Sequence, residues 1–418
     1  MAHGGALSSR KRVVFTTPVL EHPPRGGPEL RIENSIKALS RIAEVHVISR
    51  LSRAAIGGSK AEAFYSGLCA SFAYAPSVGG LRQNRYLRRL RRLLLRSRTA
   101  SRDSSYIVRR AEVVGADVIW FGYGNISFDV IEPVKLAAPH IPVVCDTDSV
   151  WSRFVLRELP LVEDPQRREE IRHTGEQKQA EERAWVELCE VTTAVSEVDA
   201  EYYRSITSND RKVQLFPNVI DLQSYADDVS PQKEIRSPSI FLAGTYGAAT
   251  SPMNRAAAWF MDDVLPLVIK VLPEARLYLI GRGSDQVLPA SPRSDVVALG
   301  EVDSVVPYLK HSDVSIVPLS YESGTRFKIL EAGACGVPVI STTLGAEGLP
   351  VTHDKDILLA DTPEAFAEAV IDVCRDRELA TRLAANLSDL VGHHFSIEAL
   401  SENAVKVLDA TQDHPAVG

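Results

Sequence analysis

Between Tyr321 and Leu349 the chain reads YESGTRFKILEAGACGVPVISTTLGAEGL, and these residue types suit the binding of a diphosphate. A small-residue loop, Glu322, Ser323, Gly324 and Thr325, follows the strand-like run VSIVPL; two cations come next, Arg326 and Lys328, and then an acid, Glu331. Free N–H groups at the start of a helix hold negative charge, and guanidinium and ammonium groups neutralise it. Ser323, Gly324 and Thr325 are therefore expected to open a helix whose amides hold a diphosphate, with Arg326 and Lys328 beside it. Glu331, further along that helix, would accept hydrogen bonds from a ribose diol. The plainer reading makes Glu331 a helix-surface acid and the two cations a solvated face.

Such residues need strand-to-helix turns to hold them, and the sequence supplies a series. Short β-branched runs alternate with helical patterns, the mark of parallel strands joined by crossover helices. The strands expected are RVVFTTPV, EVHVISR, DVIWFGY, IPVVCDTD and EVTTAVS in the first half, then SIFLAGT, RLYLIGRG, VVALG, VSIVPL, VPVIST and ILLA. Helices are expected near Glu29–Ser40 and Glu176–Leu188. The fold class is α/β: two doubly wound domains, 12–222 and 239–395, joined by a Pro-, Asp- and Ser-rich linker at 223–238. A final helix at 396–410 and tails at 1–11 and 411–418 complete the division. Open parallel sheets bind ligands beyond the carboxyl ends of their strands, and two facing domains enclose a cleft. Gly244 and Thr245, Gly281 and Arg282, and Gly26 and Gly27 all follow strands, where backbone without side chains can approach a phosphate. Each of these alone is more often an ordinary turn. Arg31, one turn into the first helix, either faces that phosphate or sits on the solvent side.

At 418 residues, 45% of them hydrophobic, the chain has room for two or three cores, and a net charge of -7 gives no sign of a nucleic-acid partner. Its five cysteines contain no CxxC pair, which argues for a reducing compartment and against a zinc site. With no membrane-spanning apolar run and no signal-peptide pattern in MAHGGALSSRKR, the expected location is the cytoplasm. Leu81–Arg110 holds eleven arginines against one aspartate with leucines at helical spacing. That pattern suits peripheral contact with an anionic membrane surface, an anionic acceptor, or an outer helix with buried leucines. In the first half, Asp146 and Asp148 of CDTDS are candidate catalytic groups for the cleft, or else caps of the next helix; as a DxD they could also hold a metal, the less favoured reading. His22, His173 and His311 stand isolated in sequence.

In the order of its segments the chain resembles the family 4 retaining glycosyltransferases of the GT-B fold, above all the bacterial branch with a GTRxKILEA-type motif. The likeness runs from about Lys11 to about Asp409. PPRGGPELRIENSIKALSRIAEVHVIS is similar to that family's glycine loop and first helix, CDTDSVWSRF to its acid-bearing strand end, and TTAVSEVDAEYY with VQLFPNVID to its approach to the linker. FLAGTYGAATSPMNR and YLIGRG are similar to the start of its donor domain.

The resemblance implies two Rossmann-like domains, an acceptor side and a donor side. The reaction implied is retaining transfer of a sugar from a nucleoside-diphosphate sugar, used as co-substrate, to an acceptor hydroxyl, with no metal and no tightly bound cofactor. Arg326 and Lys328 would stabilise the leaving diphosphate, whose oxygen takes the acceptor proton. The acceptor implied is a glycan, a lipid-linked carrier or a small molecule, in exopolysaccharide or lipid-linked glycan assembly or in tailoring of a secondary metabolite. The motif departs from the family in one place: counting back from Glu331 to the usual first glutamate lands on Ser323, with Glu322 one place early. The arginine, lysine pair frequent after the first donor strand is also not visible near Thr245, Asn254 and Arg255. These departures keep two alternatives open, a catalytically silent nucleotide-sugar-binding partner protein and an epimerase on the same fold.

Overall fold

The structure, a computed structural model, describes residues 10–76, 102–227, 230–231, 233–248, 250–287, 293–324 and 326–412. Within them the chain forms two compact units, one of residues up to Ser152 with Glu169–Asn218 and Ile397 onward, the other of Arg153–Arg168 with Val219–Ser396.

The first unit is built on a seven-stranded sheet ordered β3-β2-β1-β4-β5-β6-β7. Its strands are β1 Arg12–Thr17, β2 Glu44–Ser49, β3 Ser71–Tyr74, β4 Val118–Gly122, β5 Val143–Asp146, β6 Val191–Ala194 and β7 Val213–Leu215. Every neighbour pairing is parallel. Parallel strands are covered on both faces, and their side chains are accordingly apolar in unbroken runs: all five residues of β4, VIWFG, are buried. Trp120 of that strand meets Phe216 edge to face with ring centroids 5.0 Å apart. The first helix, Gly27–Ile42, carries the last one, Ile397–Ala410, where Ser401 Oγ donates to the carbonyl of Ala38 at 3.2 Å. Lys11, counted in the expected tail, is tied to this unit by a bond from Nζ to the carbonyl of Leu408 at 2.8 Å.

The second unit holds a six-stranded parallel sheet ordered β10-β9-β8-β11-β12-β13. These strands are β8 Ser239–Ala243, β9 Arg276–Ile280, β10 Val296–Gly300, β11 Val314–Val317, β12 Val339–Ser341 and β13 Leu358–Leu359. In both sheets strand order runs one way from the first strand and then reverses, between β1 and β4 and between β8 and β11. The carboxyl ends of those pairs are the topological switch points, where open α/β sheets take ligands.

Every strand expected from sequence is present, and both expected helices are, as Gly27–Ile42 and Pro165–Leu188. β3 and β7 are additions to that expectation. The change of unit comes at Asn218/Val219, before the expected linker. Part of that linker is built into the second unit: Tyr225 is buried, and Lys310 Nζ donates to the carbonyls of Ala226 and Asp227 at 3.2 and 2.9 Å. Residues 81–101 of the arginine-rich stretch lie outside the described residues, as does 413–418 of the expected tail. The described remainder of the stretch belongs to a helix over 102–114 with Ile107, Val108 and Ala111 buried.

Candidate functional site

The loop from Pro318 to Arg326 leaves β11 at the switch point of the second unit, and the strand-to-helix turn lies where the sequence placed it. Its detail differs. The helix is Phe327–Ala334, so Ser323 and Gly324 precede it rather than open it. Gly324 has φ +79, a left-handed conformation that a helical residue does not take. Thr325 lies outside the described residues.

Arg326 is 5% exposed and turns back on its own loop, with Nη1 donating to the carbonyl of Ser323 at 2.8 Å and to that of Gly324. Ser323 N reaches Glu322 Oε1 at 3.3 Å. Lys328 is partly covered, and among the described residues its ammonium makes no hydrogen bond or ion pair. Burial pushes its pKa down and Arg326 adds to that, while Glu322 and Glu331 oppose it. Glu331 takes a hydrogen bond from Tyr225 Oη at 3.0 Å on Oε1. Burial raises its carboxyl pKa against that bond and against Lys328. Tyr225 falls in the expected linker, and no local signal in the sequence ties it to a residue so distant.

Gly244 and Gly281 stand at neighbouring strand ends of this unit, β8 and β9. Gly281 has φ +117, and a Cβ there would stand 2.0 Å from the carbonyl oxygen of Gly244. Gly244 N in turn donates to Ile280 O at 2.9 Å. This close approach accounts for Gly281, and a Cβ at Gly244 would stand 2.6 Å from the Met253 side chain. Thr245 and Arg282 flank them, neither buried. Arg255, from the region lacking the expected cation pair, lies close to Tyr321 of the motif loop; burial raises that phenol's pKa, and Arg255 works against the rise.

In the first unit the structure brings Arg31 and Asp146 together, but inward. Asp146 is 0% exposed and Arg31 2%. Arg31 Nη2 donates to Asp146 Oδ1 at 2.5 Å and to Thr147 O at 2.9 Å, and Nη1 to Asn218 Oδ1 at 2.7 Å. Thr193 Oγ1 donates to the same Asp146 oxygen at 2.7 Å. Arg31 thus lies neither on the solvent side nor in the open: a buried charge needs a partner, and it and Asp146 are each other's. Asp148 remains partly exposed, accepting from Asn125 Nδ2 at 2.6 Å and Trp151 Nε1 at 3.2 Å. Burial raises its pKa, against those two bonds and the charge of Arg31.

Gly26 has φ -165, extended backbone open to any residue, and Gly27 is the first residue of the helix. His22 is not isolated. Its Nδ1 lies 2.8 Å from Glu33 Oε2, and its ring stacks on Phe64 with centroids 3.6 Å apart. Among the described residues no group of three or more His, Cys, Asp or Glu is placed to hold a metal ion. No helix among them is long and apolar enough to cross a membrane.

Residues 240–376 match the family model described as glycosyl transferases group 1. An N-acetyl-alpha-D-glucosaminyl L-malate synthase from Bacillus anthracis is 26% identical over 236 residues, covering 52% of this chain and 59% of that protein. The lipopolysaccharide core biosynthesis glycosyltransferase LpsE of Rhizobium meliloti is 29% identical over 145 residues, 33% of this chain and 42% of that one. The chain thus spans about half the length of these curated relatives. Among solved structures, Anabaena HepE in complex with UDP and glucose superposes with TM-score 0.61 at 13% identity, over 96% of this chain and 100% of that one. Sucrose-phosphate synthase from Thermosynechococcus elongatus does so with TM-score 0.67 at 17% identity, over 97% and 100%. At such identities the likeness shows the fold: two parallel-sheet, Rossmann-like α/β domains, as in GT-B glycosyltransferases.

Proposed function

We propose that the chain is a group 1 glycosyltransferase, of the family 4 retaining type, that moves a sugar from a nucleoside diphosphate to an acceptor hydroxyl without a metal ion. The observation that carries this reading is the placement of Lys328 and Glu331 on the helix that follows β11 at the switch point of the second unit. The match of 240–376 to the glycosyltransferase model supports it.

In this reading the diphosphate lies against the turn at Ser323 and Gly324. Lys328, with no competing carboxylate in hydrogen-bond reach among the described residues, neutralises the charge that grows on the leaving phosphate. Glu331 keeps Oε2 for a ribose hydroxyl while Tyr225 holds Oε1. Arg326 holds the turn in shape and contributes its positive charge from behind. As the bond from the sugar carbon to the leaving oxygen breaks, the electron pair passes to the diphosphate. The acceptor oxygen bonds to that carbon, and its proton goes to a phosphate oxygen. Positioning and electrostatics supply the catalysis, so no side-chain base is required. The name of LpsE points to a growing glycan as acceptor and that of the L-malate synthase to a small hydroxy acid; of the two we take the glycan, with exopolysaccharide or lipid-linked assembly in the cytoplasm as the setting, and a small-molecule acceptor as the alternative.

A second reading, a nucleotide-sugar-binding protein without transfer, is favoured by the turn of Arg326 toward its own loop carbonyls. Release of nucleoside diphosphate from UDP-, GDP-, ADP- and TDP-sugars, with and without chelator and with a glycan acceptor panel, separates the two. Release that survives chelator, with the new bond in the donor's anomeric configuration, is the expected result. Binding without release under every combination supports the silent protein, and a strict need for a divalent ion overturns the metal-free mechanism.

A further inference from the structure

Arg153–Arg168 stands in the first half of the sequence but belongs to the second compact unit. One of its side chains reaches two loops of the donor sheet. Arg157 Nη1 donates to the main-chain carbonyl of Glu322 at 2.6 Å and to Glu347 Oε2 at 2.7 Å, and Nη2 donates to Glu347 Oε1 at 2.8 Å. Arg153 Nη2 lies 3.5 Å from the same carboxylate. Beside this fork Phe154 stacks on Tyr321 with centroids 6.2 Å apart, and Tyr321 Oη donates to the carbonyl of Thr250.

Glu322 belongs to the loop after β11 and Glu347 to the loop after β12, so one planar guanidinium ties two neighbouring loop ends. The side chains of Arg157 and Glu347 are partly covered, with 21% and 29% exposure, and the carboxylate takes a two-point bond. Such bonds are stronger and more directional than an open surface pair.

We propose that Arg157 is a positioning residue for the nucleotide-sugar site. By fixing the main chain at Glu322 it sets the Ser323–Gly324 turn, and through that turn the placement of Arg326 and Lys328. This rests on reading that loop as the donor site. A lysine at 157 keeps the attraction to Glu347 but cannot meet both carboxylate oxygens and the carbonyl from one ammonium in the same geometry.

The test uses the full chain with Arg157→Lys, Arg157→Ala and Glu347→Gln. Hydrogen exchange is read at 318–326 and, as reference, at 276–300, and binding of UDP, GDP, ADP and TDP is titrated. Both Arg157 variants are expected to speed exchange at 318–326 with 276–300 unchanged. Both should also weaken whichever diphosphate binds the unaltered chain by about tenfold, or roughly 1.4 kcal/mol. Glu347→Gln should act in the same direction and less, because the carbonyl bond remains. Lysine is expected to recover the thermal midpoint but not the affinity. The positioning role is overturned by unchanged exchange at 318–326, by exchange that rises equally at 276–300, or by affinity fully recovered with lysine. Absence of diphosphate binding by the unaltered chain would instead overturn the donor-site reading, and the exchange data would still decide whether Arg157 holds the loop.

Discussion

Glu331 and Lys328 are shifted toward each other in pKa, the acid up and the base down, with burial as the first cause in both. If both must be charged to hold a nucleoside diphosphate, binding has two pH limits. As pH falls through the raised pKa of Glu331 the carboxylate is lost; as pH rises through the lowered pKa of Lys328 the ammonium is lost. The expected affinity profile is a bell whose acidic limb lies above the ordinary glutamate range and whose alkaline limb lies below the ordinary lysine range. Tyr225→Phe removes a bond that stabilises the carboxylate, so the acidic limb should move to higher pH while the alkaline limb stays. Titration calorimetry across pH checks this, and an unmoved acidic limb would show that Glu331 is not the group seen. The linkage to folding has the opposite sense: a carboxyl whose pKa is raised on folding contributes less to stability as pH climbs from its unfolded to its folded pKa.

At the scale of elements, some strand ends are closed by packing and ion pairing. The Arg31–Asp146 pair joins the first helix to the end of β5, and Asp146→Asn leaves a buried guanidinium short of its counter-charge. A loss of about 3 kcal/mol in urea unfolding of the first unit is expected, in the range for breaking a buried pair. Asp146→Leu combined with Arg31→Met should recover most of it, and a loss below about 0.5 kcal/mol for Asp146→Asn would contradict a buried pair of this kind. Gly281→Ala places a Cβ against the Gly244 carbonyl at a left-handed φ, so the second unit should lose thermal stability whether or not nucleotide is present. The same elements show what a sequence reveals. Runs such as SIFLA and VIWFG are apolar and β-branched or aromatic because a doubly covered parallel strand must be, and they are read directly. SFAY and VQL are the edge strands of their sheet, mostly only half-buried and without a β-branched run, so β3 and β7 escape that signal. The spacing of Arg326, Lys328 and Glu331 is local and therefore legible. Tyr225, Arg157 and the inward turn of Asp146 depend on contacts across more than a hundred residues, which no local pattern encodes.

For the whole molecule, the chain passes between the two units at 152/153, 168/169, 218/219 and 396/397, so neither unit is one continuous stretch of sequence. Cutting the chain at the Pro- and Ser-rich segment near 223–238 would separate the second unit from its own Arg153–Arg168 segment and the first from its last helix. Lower thermal stability is therefore expected for either half than for the full chain, and two halves that melt as the full chain does would contradict the division. A nucleoside-diphosphate sugar site on the loop after β11 should show itself in thermal stabilisation of the full chain. UDP, GDP, ADP and TDP and their sugars would be applied to the unaltered chain and to its Lys328→Ala and Glu331→Ala variants. A ligand at a hundredfold excess over its dissociation constant stabilises by about 2.7 kcal/mol. Such a shift is expected for one nucleotide family, lost or strongly reduced in both variants. A shift that survives both substitutions would move the site elsewhere, and no shift with any of the ligands would contradict a site on that loop.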